Sequence, residues 1–503
     1  VAERWWWELG QPLADVKAGE PYQVTVQREA IPVIFLPGAM GSRLRQRVGR
    51  KLVWDPDREH GVWMLRKYGL FWQRGGKKKR NLVGDTYRED FLEVALDDDG
   101  RLPPRAEDDD EGPVERGWGG VMWSTYGGVI RRLAAPETWL AHPRVGLFFD
   151  LPVYAHGYNW TADVGFAART LAERIDGIIR RHASRKCRQV ILVTHSMGGL
   201  VARAACALPG VGAKVLGVVH GVQPVHGSAA AYWRMKGGFE RDGLAPSPAA
   251  WVLGTDGKEV TQTMSEMPGG LTLLPNRLYG SEWLEFFDFE ENRVRRLPEG
   301  DPYEEIYREK ERYWRLVDPG YLIGETTQKS ERKGRTIGMA PRAPWNIYLA
   351  NLETARQAHA VLERNLQHPE THYFMGTKLK TAGRIGFDRS RCIPGPEGDL
   401  PTPGLVHHRD GFATVVRQGG GTLWRVVMER PDDDGDGTVP SGSAGALEQQ
   451  GESQSFELEG RAGAPGAFER MEHQPAYEER EVQEYTVDAV RRLCLLRMKR
   501  GGP

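Results

Sequence analysis

Thr194-His195-Ser196-Met197-Gly198 carries the strongest chemical signal in the chain. The apolar run Gln189-Val190-Ile191-Leu192-Val193 leads into it, and small residues from Leu200 to Ala207 lead away. A serine between a buried strand and a helix is the setting of a nucleophile elbow, a turn sharp enough to expose the hydroxyl above a sheet. Such a turn needs small residues two positions before and after the serine. Here these are Thr194 and Gly198, and a threonine in place of the usual glycine needs extra room. The competing reading makes Ser196 the N-cap of an ordinary helix. That reading leaves Gly198 and Gly199 unexplained, since each glycine inside a helix costs up to about 1 kcal/mol relative to alanine.

A serine nucleophile needs a base, and in this sheet topology the acid and the histidine follow the serine in chain order. Beyond residue 408 the only histidine is His473, in Glu472-His473-Gln474-Pro475 ahead of the last helical stretch. His195 should point to the other side of the elbow and reads as structural. The acid lies in Asp432-Asp433-Asp434-Gly435-Asp436-Gly437-Thr438-Val439-Pro440. Its D-x-D-x-D-G pattern also opens an EF-hand calcium loop, but Ser443 occupies the twelfth position, where a bidentate glutamate is required. The other reading has Asp436, with Asp434 as second candidate, orienting the imidazole of His473 and stabilising the imidazolium. Gly435 and Gly437 allow the backbone to turn the carboxylate inward. An oxyanion needs two backbone N–H donors, one from the residue after the nucleophile and one from the turn after the first core strand. Met197 is the first. Ala39 is the choice for the second, with Met40 the alternative, in Pro37-Gly38-Ala39-Met40-Gly41-Ser42. No metal and no cofactor is called for.

The elements that would hold these residues follow a strand–helix rhythm. Val33-Ile34-Phe35-Leu36 reads as a first strand and Leu151 to Ala155 as a second. A helix over 163–182 places Leu171, Ile175, Ile178 and Ile179 on one apolar face. Strands at 189–193 and 215–219 flank the helix of small residues. This alternation implies βαβ units and a mostly parallel sheet. A polar, irregular stretch runs from 43 to 116, with the clusters Lys77-Lys78-Lys79-Arg80 and Glu107 to Glu111 reading as solvated loops. From 229 to 345 the aromatics Tyr232, Trp233, Phe239, Trp251, Trp283, Phe286, Phe287 and Trp314 mix with charges and read as an inserted helical cap. The rhythm resumes with a helix near 352–366, a strand at 372–375, a hairpin over 412–429 turning at Gly419-Gly420-Gly421, and a helix over 481–498. The division is an arm at 1–30, a core from 31 to 228, the cap, and the rest of the core from 346 to 503.

The 503 residues give room for a large core, and 68 basic against 68 acidic residues leave no net charge. That balance argues against a nucleic-acid binder. Apolar residues at 40% and charged residues at 27% are globular values. The four cysteines form no C-x-x-C pair and no zinc spacing, and a Cys392–Cys494 bridge stays open. No stretch approaches the roughly 18–20 apolar residues of a membrane span. Val1 to Gly10 lacks the basic start and apolar core of a signal peptide. The absent export signal favours a cytoplasmic origin, although the first residue is not Met and the compartment stays open.

Four motifs in order resemble the lecithin:cholesterol acyltransferase-like lipases and the related GPI inositol-deacylase-like group: Pro32 to Ser42, His195-Ser196-Met197-Gly198-Gly199, Gly435-Asp436-Gly437-Thr438-Val439-Pro440, and the late histidine. Tyr158-Asn159-Trp160 and the segment from Met264 to Leu273-Leu274-Pro275 are weaker echoes. The resemblance implies an α/β-hydrolase fold, a mostly parallel sheet flanked by helices, with a large, mainly helical lid. It implies action on lipid esters, at a membrane surface, without a cofactor. The group also resembles phospholipase effectors of bacterial type VI secretion. Such an effector would leave by a non-Sec route and meet an inhibitor or immunity protein. Trp5-Trp6-Trp7 suits a membrane interface, yet packing between cap and core accounts for tryptophans equally well. A small-ester or polyester esterase, or an acyltransferase, would use the same triad.

Overall fold

Four apolar residues in a row, Val33–Leu36 (β1), are buried on both faces, as parallel strands covered by helices require. The computed structural model describes residues 28–57, 75–84, 88–97, 100–105, 110–239, 241–242, 245–246, 253–254, 256–287, 292–323, 343–364, 367–388, 406–408, 411–417, 423–429, 432–450 and 466–501. After β1 come Val153–Ala155 (β2), Val190–His195 (β3), Val215–Gly221 (β4), Thr371–Thr377 (β5) and Ala467–Glu469 (β6). They form one six-stranded sheet in the order β6-β5-β4-β3-β1-β2. Every neighbouring pair is parallel, with Phe35 opposite both Ala155 and Val193, and Val193 opposite Val219.

Side chains alternate across this sheet. Ile34, Leu36, Leu192 and Val218 pack on one side against Val164–Arg181 (α1) and Met197–Cys206 (α2). Val33, Phe35, Ile191 and Val193 pack on the other against residues of the helices Trp123–Ala134 and Arg480–Lys499. Helix α1 begins where the Asp163 carboxylate accepts a bond from Phe166 N–H at 3.0 Å. It buries Val164, Ala167, Ala168, Leu171, Ile175 and Ile178, and ends on Arg180 and Arg181, where cations suit the helix dipole. Cys187, Cys206 and Cys494 are free thiols; Cys392, like Trp5 to Trp7, lies outside the described residues.

Three expectations need correcting. The stretch from 43 to 116 is not merely irregular: Leu44–Gln46, Leu52–Trp54 and Leu92–Val94 form an antiparallel sheet. Strands of three residues are too short to show a period, and the charges beside them are neutralised internally. Arg43 is buried and donates to Asp55 at 2.9 Å and to the carbonyl of Gly119 at 3.0 Å. The charge clusters are not wholly solvated either. Lys79 sits in the helix Gly75–Leu82 and is buried on Glu266 at 2.6 Å and the Ile323 carbonyl at 3.1 Å. Glu111 is buried under the Tyr154 hydroxyl and pairs with Arg181 at 2.7 Å.

The third correction concerns the cap. It contains the helices Ala229–Gly237 and Gly257–Met264 but also the strands Leu284–Phe287 and Arg293–Leu297. These join Ile385–Asp388, Leu423–Glu429, Gly411–Arg417 and Val406–His408 in a second six-stranded sheet. The hairpin expected over 412–429 therefore belongs with the cap strands; its glycine turn lies outside the described residues. Aromatic packing holds this unit, with Phe286 stacked on Phe387 at 5.3 Å and Tyr232 edge-on to Trp283 at 5.2 Å.

The Lys79–Glu266 pair joins the 75–82 helix to the cap, and both side chains are out of water. Removing one partner leaves an uncompensated buried charge. Lys79→Met alone is expected to cost about 3–5 kcal/mol of unfolding free energy, and Lys79→Met with Glu266→Met much less. Urea denaturation of the two variants checks this; equal losses would contradict it.

Candidate active site

β3 ends at His195, and α2 begins at Met197, so Ser196 alone makes the turn between them. It does so at φ 50°, ψ −123°, a conformation that favours glycine. Two glycines make room for it. A Cβ on Gly198 would lie 2.5 Å from the Pro37 carbonyl oxygen, and one on Gly38 would lie 2.6 Å from His195 Nδ1 and 3.1 Å from Ser196 Cβ. The threonine at minus two is accommodated by hydrogen bonds: its Oγ1 meets His220 Nδ1 at 3.0 Å, and its carbonyl accepts from the Tyr477 hydroxyl at 3.0 Å.

The structure brings Ser196, His473 and Asp436 together. His473 Nε2 lies 2.9 Å from Ser196 Oγ, and His473 Nδ1 lies 2.7 Å from Asp436 Oδ2. The other carboxylate oxygen of Asp436 accepts the N–H groups of Thr438 at 2.9 Å and Val439 at 2.7 Å. These bonds hold the carboxylate in place. His473 N–H also donates to the Asp436 carbonyl at 3.0 Å, so the two loops are tied through backbone as well. Gly437 takes φ 86°, and β5 reaches the acid at Gly376, where a Cβ would come 2.6 Å from Asp436 Cβ.

Asp434, the second candidate acid, is exposed and lies in the strand Asp432–Gly435, paired with Leu379–Ala382. That extended pairing is not the closed loop a calcium ion needs. Among the described residues no cluster of three or more potential metal ligands occurs.

Met197 is the first residue of α2, where N–H groups lack partners inside the helix. In the turn after β1, Gly38 N–H is taken by the Tyr126 hydroxyl at 3.3 Å. Met40 stands at φ 64°, and its carbonyl accepts from Trp54 Nε1 at 2.6 Å. Among the described residues no acceptor is found for the N–H groups of Ala39, Met40 or Met197. Donors of this kind beside a serine hydroxyl suit a developing oxyanion.

Some neighbours were not singled out from sequence. Tyr126 is buried against both Gly38 and His195. His195 does not simply point away from the site: its Nε2 lies 2.9 Å from the His473 carbonyl oxygen. No sequence spacing links residues 126, 195 and 473.

Residues 112–369 match the Alpha/beta hydrolase family. The chain belongs to this family. The matched stretch holds Ser196 and ends before Asp436 and His473. A solved crystal structure of a Tle4–Tli4 complex contains a chain similar to this α/β hydrolase with a TM-score of 0.71 and 26% identity, covering 93% of this chain and 99% of that one. Phospholipase PlaB from Legionella pneumophila is 12% identical over 60% of this chain and 76% of its own, with a TM-score of 0.18. No curated protein matches.

The backbone at Ser196 makes a stability prediction. Glycine takes its conformation without a Cβ penalty, so Ser196→Gly is expected to exceed Ser196→Ala in stability by about 1–2 kcal/mol. Denaturant unfolding of the two variants measures the difference; equal midpoints would contradict a strained turn.

Proposed function

We propose that this α/β hydrolase cleaves carboxylic esters of lipids, as a lipase or phospholipase, through Ser196, His473 and Asp436. The observation that carries the reading is the continuous chain from Ser196 Oγ through the imidazole of His473 to Asp436 Oδ2, at 2.9 and 2.7 Å. His473 takes the proton of Ser196 as the hydroxyl oxygen bonds to the ester carbonyl carbon. Asp436 holds the imidazole in the tautomer with Nδ1 protonated and stabilises the imidazolium. The amides of Met197 and Ala39, with Met40 the alternative to Ala39, hold the negative oxygen of the tetrahedral intermediate. His473 then returns its proton to the leaving alcohol, and an acyl group remains on Ser196. Water attacks this acyl-enzyme with His473 again as base, releasing the acid. A second alcohol in place of water would make the enzyme an acyltransferase.

The lipid assignment rests on the four ordered motifs, which resemble those of the lecithin:cholesterol acyltransferase-like lipases. The similarity to a chain of the Tle4–Tli4 complex over 93% of this chain supports a further reading. A dedicated protein partner, an inhibitor or immunity protein, would bind this hydrolase. Export by a non-Sec route goes with that reading.

Release of fatty acid from mixed phospholipid vesicles, followed by mass spectrometry of the products, tests the assignment. Wild type is expected to release it and Ser196→Ala to fall by about 10³-fold or more. Cleavage of short p-nitrophenyl esters through Ser196 without any release from vesicles would replace the lipid reading by a small-ester esterase.

A further inference from the structure

Directly behind the triad lies a second line of hydrogen bonds that the acyl-transfer steps do not use. Its members are Tyr126 and His195, both fully out of water. Gly38 N–H donates to the Tyr126 hydroxyl at 3.3 Å. The hydroxyl lies 3.0 Å from His195 Nδ1, and His195 Nε2 lies 2.9 Å from the backbone carbonyl of His473. The rings follow the same path, with His195 at 5.5 Å from Tyr126 and 5.3 Å from His473.

The direction of each bond is fixed by chemistry. A backbone carbonyl only accepts, so the proton between His195 and His473 sits on His195 Nε2. Burial, with the nearby His473 adding to it, pushes the His195 pKa down to about 3, so the ring carries that one proton and no other. Nδ1 is therefore a bare acceptor, and the Tyr126 O–H must donate to it. Burial pushes the Tyr126 hydroxyl up, so it keeps its proton. Its lone pairs are left for Gly38 N–H. Every polar atom in the line is matched and no alternative orientation exists.

We propose that Tyr126 and His195 are positioning residues that set the oxyanion turn and the base loop at a fixed separation. The line starts at Gly38, one residue before the proposed donor Ala39, and ends on the peptide unit of His473. It fixes the two parts of the site that come from opposite ends of the chain, 31–42 and 466–475, neither of which shares a strand pairing with the other. The Asp436 bond orients the imidazole about its own axis; the His195 bond sets where its backbone stands. The inference rests on the triad reading above, in which His473 is the base.

Two substitutions at His195 separate its two bonds. In Gln the amide N–H reaches the place of Nε2 and still donates to the His473 carbonyl. In Asn the amide oxygen reaches only the place of Nδ1, accepts from Tyr126 and leaves His473 unheld. His195→Gln, which keeps the His473 bond but loses the Tyr126 bond, is expected to lower kcat on a p-nitrophenyl ester by about tenfold, and His195→Asn to lose about 10²-fold, with KM unchanged in both. Tyr126→Phe removes one oxygen without enlarging the site. It is expected to lower kcat by about tenfold at constant KM, and keeps the test open if a His195 variant fails to fold.

Equal kcat in His195→Gln and His195→Asn, or losses that follow thermal stability alone, would overturn the proposal. So would a Tyr126→Phe variant with wild-type kcat. Ser196→Ala run beside them separates the two levels. If it is inactive while the His195 variants behave alike, only the positioning role is lost. If it stays active, the triad reading falls and the positioning role with it.

Discussion

Everything at this site depends on one backbone turn, Ser196 at φ 50° between the end of β3 and the start of α2. A side chain there costs about 1–3 kcal/mol, and the surroundings must impose it. They do so by crowding. Gly38 and Gly198 sit where a single added carbon would strike His195, Ser196 or the carbonyls at the end of β1. The same turn points the hydroxyl of Ser196 at His473 and places Met197 N–H at a helix start, free of any helix partner. The proposed nucleophile and one proposed oxyanion donor thus come from consecutive residues, and their relation is covalent.

The remaining parts are held by bonds between segments far apart in the chain. Asp436 lies beyond β5 and His473 beyond β6, both at the carboxyl edge of the parallel sheet, where open α/β sheets place their ligands. A backbone bond joins the two loops, and the carboxylate is filled on both oxygens before any substrate arrives. In the proposed mechanism, preorganisation of this kind lowers the reorganisation needed as the imidazole takes the serine proton. The cap is anchored separately, through the buried Lys79–Glu266 pair and through a second sheet whose strands come from both 284–297 and 385–429.

The core strands and the strand–helix turn at Ser196 were legible in sequence because their signals are local. β1, β3 and β4 are unbroken apolar runs, and Ser196 stands at the junction of a strand and a helix of small residues. The expectation for Asp436 and His473 rested on chain order and on the two glycines flanking Asp436; the structure brings His473 to hydrogen-bonding distance of both Asp436 and Ser196. The three-stranded sheet within 43–116 was not legible, since strands of three residues show no period. The burial of Lys79 and Glu111 was hidden because their partners, Glu266 and Arg181, lie far away in sequence. The cap strands were missed for a similar reason: Leu284–Phe287 pairs with Ile385–Asp388, about a hundred residues on, and the aromatics that mark the segment suit helix and strand alike.

The central claim is that Ser196 becomes acylated by the substrate. The most direct measurement mixes the enzyme with a slowly hydrolysed acyl ester, quenches in acid, and maps the acyl mass by peptide sequencing in a mass spectrometer. The account predicts one acyl group per chain, on Ser196, and none on the Ser196→Ala variant. Turnover with no adduct, or an adduct on another residue, would contradict it.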